Sequence, residues 1–427
     1  MADIQAMRGE HDAEVSSEGG EGGCARTRLV VFSDDWGRHP SSCQHLVGEL
    51  LGRVRGVVVD EVLWVNTVGT RVPGLCVADL ARGLGKLRDW VGGGDGSVEG
   101  CVDKPGGLTV INPKMWPGFR RHWQRRLNAG TISGAVNGRL RQRVDGEKRV
   151  AITTLPITAD LVGRLDVDRW VYYCVDDFSV WPGLDSGVMR SMERELVGRV
   201  DEVVAVSEPL RERIAGMGRD ARLLTHGIHS GHWLCERDET NKPDWWPNVA
   251  GPVALFWGLI DRRLDVQWCR SLSWELGRRG GCLVLAGPQQ DPDPGVVGLS
   301  HTLLAGAVAY DRLPAIASWA DVLVMPYVDA PVTRAMQPLK FKEYLATGRP
   351  VIVRDLPATA AWGDCCDVAA DEGEFTCVCL KRARGGMPET QRRGRDRKLP
   401  GKSWSEKARE FAGLWTGRAN TPMKQAA

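Results

Sequence analysis

Short apolar runs alternate with amphipathic stretches along most of this chain. Residues 28–33 read as a short strand with the apolar centre Leu29-Val30-Val31-Phe32, and they break into Asp34-Asp35-Trp36-Gly37-Arg38-His39-Pro40 before helical spacing sets in over 42–51, with Ser41 or Ser42 as cap. Further strands are predicted at 56–66, 108–113, 150–155, 170–175 and 203–207. The last runs into Glu208-Pro209, with Ser207 as N-cap and Pro209 in the first turn. Strand, loop and helix repeated in this way predict the α/β class, with a mostly parallel, doubly wound sheet. The pattern breaks at 236–249, a polar stretch with two prolines that reads as a linker, and restarts with strands at 253–258, 283–288 and 320–327.

The stretch after the 320–327 strand is the most informative. Pro338 suits a first helical position, and Gly348 and Pro350 suit a C-cap and a stop, which brackets a helix between them. Leu339, Phe341, Tyr344 and Leu345 give it an apolar side, whereas Lys340 and Glu343, three residues apart, share another face. In parallel α/β sheets ligands bind beyond the carboxyl ends of strands, and a helix N-terminus there offers free N–H groups to phosphate. Lys340 would add a point charge for a diphosphate and Glu343 two acceptor oxygens for ribose hydroxyls. The plainer alternative is a Lys–Glu pair on the surface of an ordinary helix. Gly258-Leu259-Ile260-Asp261-Arg262-Arg263 follows another strand directly. Its glycine would let backbone approach a phosphate that two arginines could neutralise, although surface arginines are usually only solvated. Neither a G-x-G-x-x-G fingerprint nor a Walker loop is present.

Length and composition refine this picture. A chain of 427 residues exceeds the roughly 250–300 that one core usually sustains, so two domains are expected. A formal net charge of +2 gives no support to nucleic-acid binding. No apolar run approaches the roughly 20 residues needed to span a bilayer, and the N-terminus lacks a signal-peptide core, so a cytoplasmic location is expected. The 12 cysteines form no C-x-x-C pair or Cys/His cluster, which reads as reduced thiols and no metal site. Residues 1–24, rich in Gly, Glu and Ser, read as a disordered tail. Residues 381–402 read as a basic, mobile insertion whose charge could also favour an anionic membrane surface. Helical periodicity resumes at 403–418, with Trp404, Ala408, Phe411 and Trp415 on one stripe.

Five pieces in order give the second half a family likeness: Leu255-Phe256-Trp257-Gly258-Leu259-Ile260-Asp261; Leu283-Val284-Leu285-Ala286-Gly287-Pro288; Leu313-Pro314; Ala320-Asp321-Val322 through Pro326-Tyr327; and Pro338-Leu339-Lys340 with Glu343-Tyr344-Leu345-Ala346-Thr347-Gly348. Together they resemble the nucleotide-sugar domain of group 1 glycosyltransferases of GT-B fold, especially those that build bacterial surface polysaccharides. The resemblance implies two Rossmann-like doubly wound domains facing an interdomain cleft: 25–235 on the acceptor side, 236–249 as linker, 250–380 binding the donor, and 403–418 as a helix crossing back to the first domain. It implies that Glu343 binds the donor ribose and that Lys340 with Arg262 or Arg263 lies near the diphosphate, beside Gly258, Pro338 and Leu339. Ala335 departs from the pattern, because many relatives carry a second glutamate eight residues before the ribose-binding one. His226-Gly227-Ile228-His229 resembles the His/Asn-Gly-Val-Asp loop at the end of the family's first domain, with His229 in place of the usual aspartate.

Catalytic candidates come from the first half. Asp176 and Asp177 follow the 170–175 strand, where a general base would be placed, and Asp35 follows the first strand, with Asp34, Trp36 and His39 beside it to orient an acceptor. Helix capping is the competing reading for each carboxylate pair. Residues 113–126 interleave Trp116, Phe119 and Trp123 with arginines. This suits a membrane interface or an acidic lipid-linked glycan, suits single-stranded nucleic acid too, and equally suits a helix packing those rings into its own domain. The expected activity is transfer of a sugar from a nucleoside-diphosphate sugar to a polysaccharide or lipid-linked acceptor hydroxyl, with no metal and no cofactor, in the cytoplasm or at the inner face of the membrane. A nucleotide-sugar epimerase of the same fold, or a silent nucleotide-binding scaffold, remains open.

Overall fold

A computed structural model describes residues 25–37, 41–54, 57–66, 105–140, 142–181 and 183–416. The chain divides into two compact units: one runs to Thr225 and regains the chain from Ser405, and the other is His226–Trp404. The tail expected at 1–24 and the candidate His39 lie outside the described residues.

The first unit is built on one sheet. Its strands are β1 (Ala25–Ser33), β2 (Gly52–Val54), β3 (Val57–Asn66), β4 (Leu108–Ile111), β5 (Lys148–Thr153), β6 (Arg169–Cys174), β7 (Glu202–Ala205) and β8 (Arg222–Leu223). They lie in the order β2-β3-β1-β5-β6-β7-β8, with β4 also paired to β3. Every pairing is parallel except β2 with β3. Continuous apolar sequence in β1, with Leu29 to Phe32 fully buried, is what a strand covered on both faces requires. From Ser405 the helix Trp404–Thr416 belongs to this unit, and Phe411 lies edge-on to Tyr173 of β6 with ring centroids 5.5 Å apart.

The second unit repeats the architecture with β9 (Val253–Trp257), β10 (Cys282–Ala286), β11 (Thr302–Gly306), β12 (Val322–Met325), β13 (Val351–Arg354) and β14 (Asp367–Ala369). Their order, β11-β10-β9-β12-β13-β14, is all-parallel and is the Rossmann order. Strand order reverses between β9 and β12, so the crevice beyond their carboxyl ends is the switch point at which such sheets bind ligands.

Two expectations about organisation are corrected. Residues 236–249 are not a free linker: Trp246 is buried, and Trp319 donates its indole N–H to Asn241 Oδ1 at 3.0 Å, all within the second unit. The change of unit falls earlier, at 225/226. Residues 381–402 are not a mobile insertion either, because helices Glu372–Gly385 and Glu389–Lys398 occupy most of them. Arg395 is buried and donates to the carbonyls of Cys365, Leu345 and Arg349 at 2.7, 3.2 and 2.8 Å. Gly394 lets the helix approach: a Cβ there would fall 2.1 Å from the Asp364 carbonyl oxygen. An arginine stem packs like a hydrocarbon, which a search for apolar residues does not register.

Candidate functional site

The switch point of the second unit gathers most residues of the expected donor site. β9 ends at Trp257, whose backbone N–H donates to Tyr344 Oη at 2.8 Å, while that hydroxyl donates to the Trp257 carbonyl at 3.0 Å. This pair fixes helix Leu339–Ala346 against the end of β9. Gly258 follows at φ +140°, and a Cβ there would stand 1.8 Å from Lys340 Nζ. The Lys340 ammonium donates to Tyr327 Oη at 2.9 Å and lies 4.9 Å from the centre of the Phe256 ring. Pro338 caps the helix and Leu339 opens it, which leaves the first N–H groups of the helix beside this cation.

Glu343 is placed differently from the expected open polar face. It is 7% exposed, with Trp257 Nε1 3.5 Å from Oε2 and the Tyr310 hydroxyl hydrogen-bonded to it. Burial pushes its carboxyl up to about 7, against the opposing effects of Trp257, the Lys340 charge and Tyr310. Burial and the same carboxylate drive the Tyr310 hydroxyl upward. An aromatic wall backs the pair: Trp233 stacks on Trp257 at 5.5 Å and 8°, and His232 on Tyr310 at 4.6 Å and 3°. The sequence missed Tyr310 and Trp257 as partners of Glu343. The turn holding Tyr310 follows β11, a half-buried strand with no strong pattern of its own.

The two arginines after Gly258 part company. Arg263 is nearly buried in a two-pronged pair with Asp261 and lies 5.8 Å from the Tyr327 ring that also meets Lys340. Arg262 is exposed and pairs with the equally exposed Asp291 at 2.9 Å, a contact that a stronger anion could displace at little cost. Ala335 ends a short helix, Pro331–Ala335, so no second glutamate stands there. The loop at 226–229 is tied to the donor helix through its backbone: His226 N–H donates to Gln337 Oε1 at 2.7 Å and Lys342 donates to the His226 carbonyl. Burial first, and His232 second, pull the His229 imidazole down to about 4.

In the first unit the candidates divide as well. Asp34 accepts from Ser33 Oγ, Ser41 Oγ and Gln44 Nε2 at 2.9, 2.8 and 2.6 Å, which clamps the loop after β1 to helix Ser42–Leu50. Trp36 packs edge-on against Trp64 at 4.8 Å, and its N–H donates to Asn66 Oδ1 at 3.1 Å. Asn66 in turn donates to Asn112 Oδ1 at 2.9 Å, joining the ends of β3 and β4. Neither asparagine was expected at the site; each is a polar residue ending an apolar strand, and that was the available signal. Asp35 lies in the same loop, half-buried. Asp177, expected as a general base, is engaged at both oxygens. One oxygen accepts from Ser179 N and Oγ at 2.9 and 2.6 Å, and the other pairs with Arg213 Nε at 2.9 Å. Arg213 also pairs with buried Glu193, so Asp177 is a cap and a strut, and Asp176 beside it keeps the candidacy.

Two Rossmann-like units, the second with a helix-borne Lys and Glu at its switch point, define the GT-B architecture expected from the sequence. Solved structures agree on the fold. A trehalose-phosphate synthase (UDP-forming) from Burkholderia xenovorans, in complex with glucose-6-phosphate, is 13% identical with a TM-score of 0.60 over 91% of this chain and 99% of its own. Anabaena HepE, in complex with UDP and glucose, is 10% identical with a TM-score of 0.56 over 90% and 94%. Among curated proteins, TuaH of Bacillus subtilis (strain 168), named as a glycosyltransferase of teichuronic acid biosynthesis, is 26% identical over 237 residues. That match covers 51% of this chain and 58% of the relative's length. These likenesses support the resemblance to group 1 glycosyltransferases. No family model matches the chain.

Proposed function

We propose that this chain is a glycosyltransferase that moves a sugar from a nucleoside-diphosphate sugar to an acceptor hydroxyl on a polysaccharide or lipid-linked glycan. The observation that carries this reading is the apposition of Gly258, Lys340 and Glu343 at the switch point of the second unit. The glycine admits a diphosphate against bare backbone, the ammonium and the helix N–H groups face its charge, and the buried carboxylate stands one helical turn on, at the position for ribose hydroxyls. Fixed positive groups act most strongly on the charge that develops as the leaving diphosphate separates, so Lys340, with Arg262 or Arg263, would serve without a divalent ion. Asp176 or Asp35 would take the acceptor proton. The likeness to TuaH supports glycosyl transfer, and that to HepE, which is solved with UDP and glucose, supports the same donor class.

A silent, nucleotide-binding scaffold is the second reading, favoured by Ala335 and by the full engagement of Asp177. Titration calorimetry with UDP, GDP, ADP and dTDP in metal-free buffer, on wild type, Lys340→Ala and Glu343→Gln, tests the donor site. Binding of one nucleotide that both substitutions weaken by tenfold or so supports it, and equal affinities across all three proteins sink it. Sugar release or transfer from the cognate donor then separates enzyme from scaffold.

A further inference from the structure

We propose that the exposed face around Trp116, Trp123 and Leu127 in the first unit is a docking surface for an anionic lipid bilayer. These side chains are 41%, 50% and 46% exposed, and the two indoles meet edge-on with centroids 5.3 Å apart. Helix His122–Arg139 turns Asn128, Ala129, Ile132 and Val136 inward and ties Arg125 to Asp160 and Glu195. Its outward stripe is therefore Trp123, Arg126 and Leu127, followed by glycines. Phe119 of the preceding loop is buried, so the two tryptophans are not its companions in the core.

Charge selects the occupant. From Pro113 to Arg139 there is no acidic residue. Arg120 pairs with Asp185, but Lys114, Arg121 and Arg126 are exposed and, among the described residues, have no ion-pair partner. Tryptophan settles at the headgroup level, leucine reaches the acyl boundary, and lysine and arginine meet anionic lipid. Indoles packed on each other leave fewer free faces for stacked bases, and this argues against single-stranded nucleic acid. Among the described residues no helix is long and apolar enough to cross a membrane, so the contact is interfacial.

The patch is wired to the acceptor loop. Residues 113–121 leave the end of β4 at Asn112, which accepts from Asn66, which accepts from Trp36. A bilayer on this face would present a lipid-linked acceptor at the sheet edge that carries Asp35; that consequence rests on the proposed function, while the docking itself does not.

The test is co-sedimentation of the full chain with vesicles of phosphatidylcholine alone and of phosphatidylcholine with phosphatidylglycerol. Wild type should pellet with the anionic vesicles, with a blue shift in tryptophan emission. Trp116→Ser with Trp123→Ser, and separately Lys114→Glu with Arg126→Glu, should each weaken binding about tenfold or more. Both should keep the wild-type thermal midpoint and nucleotide affinity, so loss of docking is read apart from loss of the donor site. Failure of wild type to pellet, or unchanged pelleting of the tryptophan variant, would overturn the proposal. So would a dimer in light scattering that the tryptophan variant dissociates, or tight binding of single-stranded RNA to the same face.

Discussion

The ammonium of Lys340 stands where a side chain at position 258 would begin, 1.8 Å from a Cβ built on Gly258. Gly258→Ala must therefore push the lysine out of its seat on Tyr327 and strain a backbone held at φ +140°. A cost of about 1–3 kcal/mol is expected, with nucleotide affinity falling tenfold or more. Adding Lys340→Ala should restore part of the thermal midpoint and none of the affinity. Restoration of both would mean that the lysine never faced the ligand.

Glu343 gives the protein a pH signature. Its carboxyl is raised in the folded state from an ordinary 4.5 to about 7, so folding favours the protonated form. The stabilising contribution is complete below about 4.5 and is lost as pH rises through about 7, an effect of roughly 2–4 kcal/mol. Glu343→Gln should remove that slope and be more stable than wild type at pH 8. Nucleotide affinity should run the other way, because the ionised carboxylate is the better acceptor for ribose hydroxyls. The ratio of wild-type to Gln affinity, which cancels titration of the phosphate, should grow between pH 6 and 8; a flat ratio would remove Glu343 from the ligand.

Asp176 and Asp177 should separate cleanly. Asp177→Asn breaks the pair with Arg213, leaves that guanidinium beside Glu193 alone, and should lower the thermal midpoint. Asp176→Asn should lower turnover by two or more orders of magnitude, as general-base removal does, with nucleotide affinity retained. Wild-type turnover in the Asp176 variant would pass the role to Asp35.

Arg395→Ala should be among the more damaging changes in the second unit. It strips three carbonyls of a charged donor, one of them at Leu345 in the donor helix, and a loss of about 3 kcal/mol is expected. Chemical denaturation should show the loss in the midpoint, and calorimetry should show weaker nucleotide binding as the helix end loosens.

What could be read from the sequence follows from how each element is specified. β1, β5, β6, β9, β10 and β12 are buried on both faces, so burial writes itself into continuous apolar runs. β2, β8, β11 and β14 are short or lie at sheet edges, and their sequences carry little of that signal. Lys340 and Glu343 were legible because helix spacing and the Pro and Gly brackets place them together. Their environment was not: the close approach of Lys340 to Gly258, Tyr310 on Glu343 and the pairing of Asp177 with Arg213 are contacts made across long sequence separations. Helix Glu389–Lys398 was misread because a buried guanidinium does in it what apolar residues usually do.

The bridge from Trp36 through Asn66 to Asn112 is made entirely of neutral amides. Such groups neither titrate across the physiological range nor weaken in salt as exposed ion pairs do. The ends of β3 and β4 therefore hold Trp36 in the same way whether the surroundings are acidic or neutral, dilute or saline, whereas the clamp through the Asp34 carboxylate can titrate. Near a negatively charged surface, where protons and cations accumulate, this amide bridge keeps its register while the ionisable groups around it, Asp34 among them, change state.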